Sequence, residues 1–149
     1  MVSSRSASGF ILLLGVLFSN CVECPPAERD RRASPDGAIT AISYSNECGP
    51  VPPFNERVAL TDGHAREDVA TVLEAPITLS TEWRKPRELL MTFGCPPDRR
   101  AACLPAEGRN WSVRSKRRWR DVSIVLEVDE HLKSVATPEI LKRLLESSR

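Results

Sequence analysis

Two groups of residues in this 149-residue chain have the types and spacing to do chemistry. One is a set of five cysteines: Cys21, Cys24, Cys48, Cys95 and Cys103. The other is RNWSVRSKRRWR, residues 109–120. It carries Arg109, Arg114, Lys116, Arg117, Arg118 and Arg120 without an acid, interleaved with Trp111 and Trp119. Thiols pair, bind soft metals or accept an acyl chain. Cations interleaved with aromatics attract phosphates, anionic lipid or acidic glycan, and a tryptophan suits a membrane interface.

Each group also has a plainer reading. In residues 109–120, Trp111, Val113 and Ser115 share one parity, which fits a solvated hairpin with its tryptophans turned inward. An anionic-surface contact through Arg114, Lys116, Arg117, Arg118, Arg120 and Trp119 is the alternative. CVEC has the two-residue spacing of a zinc knuckle, but no second such pair follows, and CPPDRRAAC is spaced too widely for that pattern. No metal or cofactor is therefore expected. DGHARED gathers Asp62, His64, Glu67 and Asp68, where a weak cation site competes with the favoured reading, a surface turn. His131 also lies in polar surroundings. The sequence has no glycine-rich phosphate loop and no Gly-x-Ser-x-Gly, and no serine has an obvious base beside it, so no enzymatic activity is expected.

The first residues, MVSSRSASGFILLLGVLFSNC, join Arg5 to an apolar run over residues 9–18. A membrane-spanning helix needs roughly 20 apolar residues. A charged start, a short apolar stretch and small polar residues before a cut site describe an export signal over residues 1–20; a buried N-terminal helix is the bland alternative. Arg5 leaves with the signal, and the remainder then balances at 20 basic and 20 acidic residues. That neutrality argues against a nucleic-acid partner, because such proteins carry a basic excess. Exported cysteines meet oxidising conditions. Cys48 is expected to pair with Cys95 or Cys103, while Cys24 stays unpaired or reaches across. Residues 21–33, with two adjacent prolines and many charges, read as a solvated tether.

A single domain over residues 34–149 remains. SPDG, residues 34–37, is a turn in which Pro35 presets φ and Asp36-Gly37 suits tight geometry. Strands follow in AITAISYSN, ERVALT, DVATVLEA, ITLSTEW, ELLMTF, NWSVRSK and VSIVLEV, each rich in β-branched or aromatic residues and most of them alternating. Only the end reads as helix. Thr137 can cap, Pro138 suits the first position, Glu139 favours the dipole, and Ile140, Leu141, Leu144 and Leu145 form one apolar stripe. Packing of that stripe on the sheet is expected over a partner or membrane contact. The fold class is mainly β: a small antiparallel meander or sandwich with a short C-terminal helix.

Two resemblances extend this reading. LFSNC resembles the lipobox of bacterial lipoprotein precursors, with Phe18 at the position usually held by Leu and Asn20 where Gly, Ala or Ser is usual. It implies that Cys21 becomes the acylated first residue, which leaves four cysteines to pair. Val22 replaces the aspartate of inner-membrane retention, so the outer membrane is implied in a two-membrane cell; ordinary cleavage nearby, giving a soluble exported protein, is the alternative. SPDG with the alternating strand, ECG with FNERVAL, and TEW with RELLMTF, over residues 34–93, resemble small uncharacterised bacterial envelope proteins. SPDG also opens blades of periplasmic β-propellers, but a propeller needs at least four blades, more than this chain can make. The combined expectation is a membrane-anchored structural or interaction module of the cell envelope. Its partner would be an envelope protein or an anionic polymer.

Overall fold

A computed structural model describes residues 26–46, 55–96, 103–105 and 110–146. The signal-like segment, Cys21, Cys24, Cys48 and Arg109 lie outside these. Six strands run first: β1 Ala27–Ala33, β2 Thr40–Asn46, β3 Asn55–Thr61, β4 Arg66–Leu73, β5 Thr78–Lys85 and β6 Glu88–Gly94. Then come β7 Ser112–Ser115, β8 Arg118–Trp119, β9 Val122–Val128, α1 Glu130–Val135 and α2 Pro138–Glu146.

The first sheet has the order β1-β2-β3-β4-β7, antiparallel throughout. SPDG turns β1 into β2: Gly37 takes φ 70°, and the Ser34 carbonyl accepts its N–H at 2.8 Å. Asp62-Gly63 turns β3 into β4, with Gly63 at φ 87°. The second sheet has the order β5-β6-β9-β8. The sheets pack face to face around Val58, Leu60, Val72, Ile77, Met91, Phe93, Val122 and their neighbours, all buried. At one edge the indole N–H of Trp83 on β5 donates to the Arg32 carbonyl on β1 at 3.0 Å, tying the sheets together. The mainly β sandwich of the sequence reading is what the chain forms.

Three expectations are corrected. The stretch AERDRRA, expected within a tether, is the edge strand β1. Its charges stay in water on both sides while its backbone pairs with β2, so a strand forms without an apolar face. The sheets are not purely antiparallel, because β6 and β9 pair in parallel, from Glu88↔Ser123 to Phe93↔Val128. A parallel pair needs a crossover; here the chain leaves β6, adds β7 to the other sheet and returns through β8. Lastly, Cys95 and Cys103 form a disulfide with each other, not with Cys48. Both flank the same loop, and closing a short local loop needs no rearrangement of the sheets.

The helices close one side of the sandwich. Asp129 caps α1, its Oδ1 accepting the Leu132 N–H at 2.6 Å. Thr137 caps α2, its Oγ1 accepting the Ile140 N–H at 3.3 Å ahead of Pro138. Leu132 and Leu144 are fully buried, and Ile140, Leu141 and Leu145 pack against the core. The apolar stripe therefore serves the fold. Among the described residues no helix is long and apolar enough to cross a membrane.

Candidate functional site

The basic segment splits between core and surface. Trp111 and Trp119 are buried in the main core, and Val113 and Ser115 turn inward with Trp111. The Arg143 guanidinium lies 4.1 Å from the Trp111 ring centre and donates to the Trp111 carbonyl at 2.6 Å, fastening α2 to the start of β7. Three of the segment's cations are engaged by this same chain. Lys116 pairs with Glu67, Arg120 pairs with Asp62 and stacks beside Trp119, and Arg117 donates to the Leu145 carbonyl at 2.5 Å. Arg114 and Arg118 are exposed, with no acidic partner among the described residues.

The carboxylates of DGHARED are similarly committed. Asp62 Oδ1 accepts the N–H groups of Ala65 and His64 at 2.9 and 3.0 Å, while Oδ2 faces Arg120. These two backbone bonds, helped by Arg120, lower its pKa to about 2. Lys116 lowers that of Glu67. Asp68 points to the other face, 3.9 Å from Arg57. These groups form a buttressed turn rather than a converging cation site.

A more continuous surface lies on the first sheet, on the face away from the core. The register Tyr44↔Arg57↔Thr71↔Arg114 crosses β2, β3, β4 and β7, and Arg31↔Ile42↔Ala59↔Asp68 runs beside it. Period-two alternation therefore puts Arg31, Arg57 and Arg114 on one face with Tyr44. Arg66 reaches over the same face, its guanidinium 4.5 Å from the Tyr44 ring centre. Ile42, Tyr44 and Ala59 form a buried cluster separate from the main core, where long amphipathic stems can shield apolar atoms while their charges stay wet. Among the described residues, Glu28 and Asp68 oppose the four guanidiniums. Glu28 makes a two-point pair with Arg31, both bonds 2.8 Å, which lowers the Glu28 pKa and raises that of Arg31. Among the described residues Arg66 and Arg114 make no ion pair, though Arg66 also helps lower the Glu28 pKa at longer range.

On the inner side, a cleft of about 290 Å³ opens between β1 and β5, lined by Arg29, Asp30, Ser43, Glu56, Thr78 and Ser80. The buried Glu56 carboxylate accepts from Arg29 Nη1 at 2.8 Å. A buried acid is costly unless it is paired, and Arg29 supplies the pairing cation from the β1 bulge.

No family model, curated protein or solved structure matches this chain. Of the residues named from sequence for an anionic contact, the structure keeps Arg114 on the open face and Arg118 exposed, and puts Trp119 in the core. Tyr44, Arg31, Arg57 and Arg66 were missed. For Tyr44 the signal was available in alternation: Ile42 and Tyr44 share a parity opposite to Ala41 and Ser43, so one apolar pair had to leave the main core; Arg31 and Arg66 carried no such signal.

Proposed function

We propose that this chain is an exported module of a bacterial cell envelope, anchored by a lipid on Cys21, which contacts an acidic envelope polymer and catalyses no reaction. The observation that carries the contact is the set of four guanidiniums, Arg31, Arg57, Arg66 and Arg114, around Tyr44 on the outer face of the five-stranded sheet. Arginine suits such a role, since its planar fork binds anionic oxygens and stacks on aromatic rings. Support for export comes from the apolar run ahead of Cys21 and from the Cys95–Cys103 disulfide, a bond that persists in oxidising compartments.

The other reading, an anionic lipid or glycan bound through residues 109–120, is supported by Arg114 and Arg118. Arg114 belongs equally to the outer face, while Lys116, Arg117 and Arg120 are held by this chain's own groups. Retention on immobilised dextran sulfate, read against salt, separates the two. Arg31→Ser/Arg66→Ser/Arg114→Ser is expected to lose salt-sensitive retention while Arg117→Ser/Arg118→Ser keeps it. The reverse pattern moves the contact to the second segment, and no retention of the unsubstituted protein removes both.

A further inference from the structure

The parallel pairing in the second sheet brings together residues far apart in sequence. Phe93 pairs with Val128, and both strands run the same way, so the residues after them leave the sheet side by side. The Asp129 N–H donates to the Phe93 carbonyl at 2.9 Å, and the Asp129 carboxylate lies against Gly94, where an added Cβ would be 2.5 Å from Oδ2. Cys95 follows Gly94. His131 lies in the first turn of α1, which the buried Leu132 pins to the core. Cys103 is buried and joined to Cys95. The two sulfurs and a ring nitrogen of His131 lie within 4.8 Å of one another.

Two cysteines and a histidine are ligands for a tetrahedral, thiophilic ion. Zn–S distances of about 2.3 Å and Zn–N distances of about 2.0 Å place ligand atoms roughly 3.5–4 Å apart around one centre. In the oxidised protein the two sulfurs are bonded to each other and must part on reduction to reach that spacing, while the His131 ring already lies within 4.8 Å of both. We propose that the reduced form of this cluster binds one zinc-like divalent cation through Cys95 Sγ, Cys103 Sγ and a His131 ring nitrogen, and that the disulfide is its released state. In the loading direction, a phosphine delivers two electrons to the S–S bond and becomes its oxide with oxygen from water; the sulfurs become thiols. The cation then displaces both thiol protons to solvent, and the imidazole gives its lone pair. Water takes the fourth position. In the release direction, hydrogen peroxide accepts two electrons from the thiolates and two protons from solvent, the S–S bond reforms, two waters leave, and the ion departs. This inference does not rest on the lipid anchor; the redox poise of the compartment decides which of the two states is populated, and an oxidising one favours the disulfide.

The test uses the full chain, reduced with a phosphine without oxygen and titrated with Co²⁺. Thiolate-to-metal charge transfer and the visible bands of tetrahedral Co²⁺ are expected in the reduced protein and not in the oxidised one. Reduced His131→Ala is expected to lose the tetrahedral bands, and reduced Cys24→Ser to keep them. His131 takes no part in the disulfide, so an unchanged thermal midpoint of oxidised His131→Ala shows that its fold is intact. Peroxide added to the loaded protein should discharge the ion and restore the Cys95–Cys103 link in a peptide map. Unchanged bands in His131→Ala would show that His131 is not a ligand and overturn the proposed site, as would the absence of bands in the reduced unsubstituted protein.

Discussion

Replacing Gly94 with alanine adds one methyl group, and the structure fixes where it goes. The new Cβ would sit 2.5 Å from Asp129 Oδ2 and 3.3 Å from its Cγ. A free carboxylate would swing aside at little cost. This one is held, because Asp129 Oδ1 caps α1 through the Leu132 N–H, and its backbone N–H is bonded to Phe93. Relieving the clash therefore breaks the cap, which costs about 1 kcal/mol within a range of roughly 0.5–2. Against that stands a gain of about 0.4–1 kcal/mol from lowering the entropy of the unfolded chain. The net expectation is a destabilisation of a few tenths of a kcal/mol, and of at most about 1.6 kcal/mol, by Gly94→Ala. In an Asp129→Ala background the cap is already gone and the space is open, so the same substitution should become stabilising by about 0.5 kcal/mol. Urea unfolding of the four proteins gives the coupling energy, expected at roughly 1 kcal/mol or more. Equal effects of Gly94→Ala in the two backgrounds would refute the reasoning.

Three further outcomes follow. Leu132→Ala, which empties a fully buried site under α1, should cost about 2–5 kcal/mol in chemical denaturation. Cys95→Ala/Cys103→Ala opens a loop of sequence separation 8, and chain entropy sets the loss near 2.5 kcal/mol; the domain should remain folded, as reduction of the same bond must leave it for the metal cluster to form. Asp62 has its pKa lowered from 3.8 to about 2 in the folded state. Its contribution to stability is thus present above the unfolded value and fades as pH falls toward 2. The stability gap between the unsubstituted protein and Asp62→Asn should be widest above pH 4, by the ordinary carboxylate range, and close toward the folded value; a gap independent of pH would contradict this.

The parts of the fold legible in sequence were those where a side-chain period had to match a buried face. VSIVLEV alternates as β9 requires, with Val122, Ile124, Leu126 and Val128 buried. Thr137-Pro138 and the leucines after it place α2 correctly because cap and stripe agree. The inward turn of Trp111 follows from its parity with Val113. What stayed hidden had no such period. AERDRRA is charged on both faces because an edge strand at the rim of a sandwich needs only backbone partners. The six residues of α1 are too few to show a stripe. The parallel β6–β9 pairing depends on a crossover through the other sheet, and without it nothing places His131 beside Cys95. The outer arginine face lay between these cases: the parity of Ile42 and Tyr44 pointed to it, but nothing in the sequence brings Arg66, at the start of β4, over the Tyr44 ring.

The proposed lipid anchor and export are tested most directly by the intact mass of the membrane-associated protein beside a Cys21→Ala variant. A chain beginning at Cys21 with added acyl mass is expected, with neither that mass nor membrane association in the variant. A lipid-free chain cut elsewhere, or an uncut chain with Met1 in place, would contradict it.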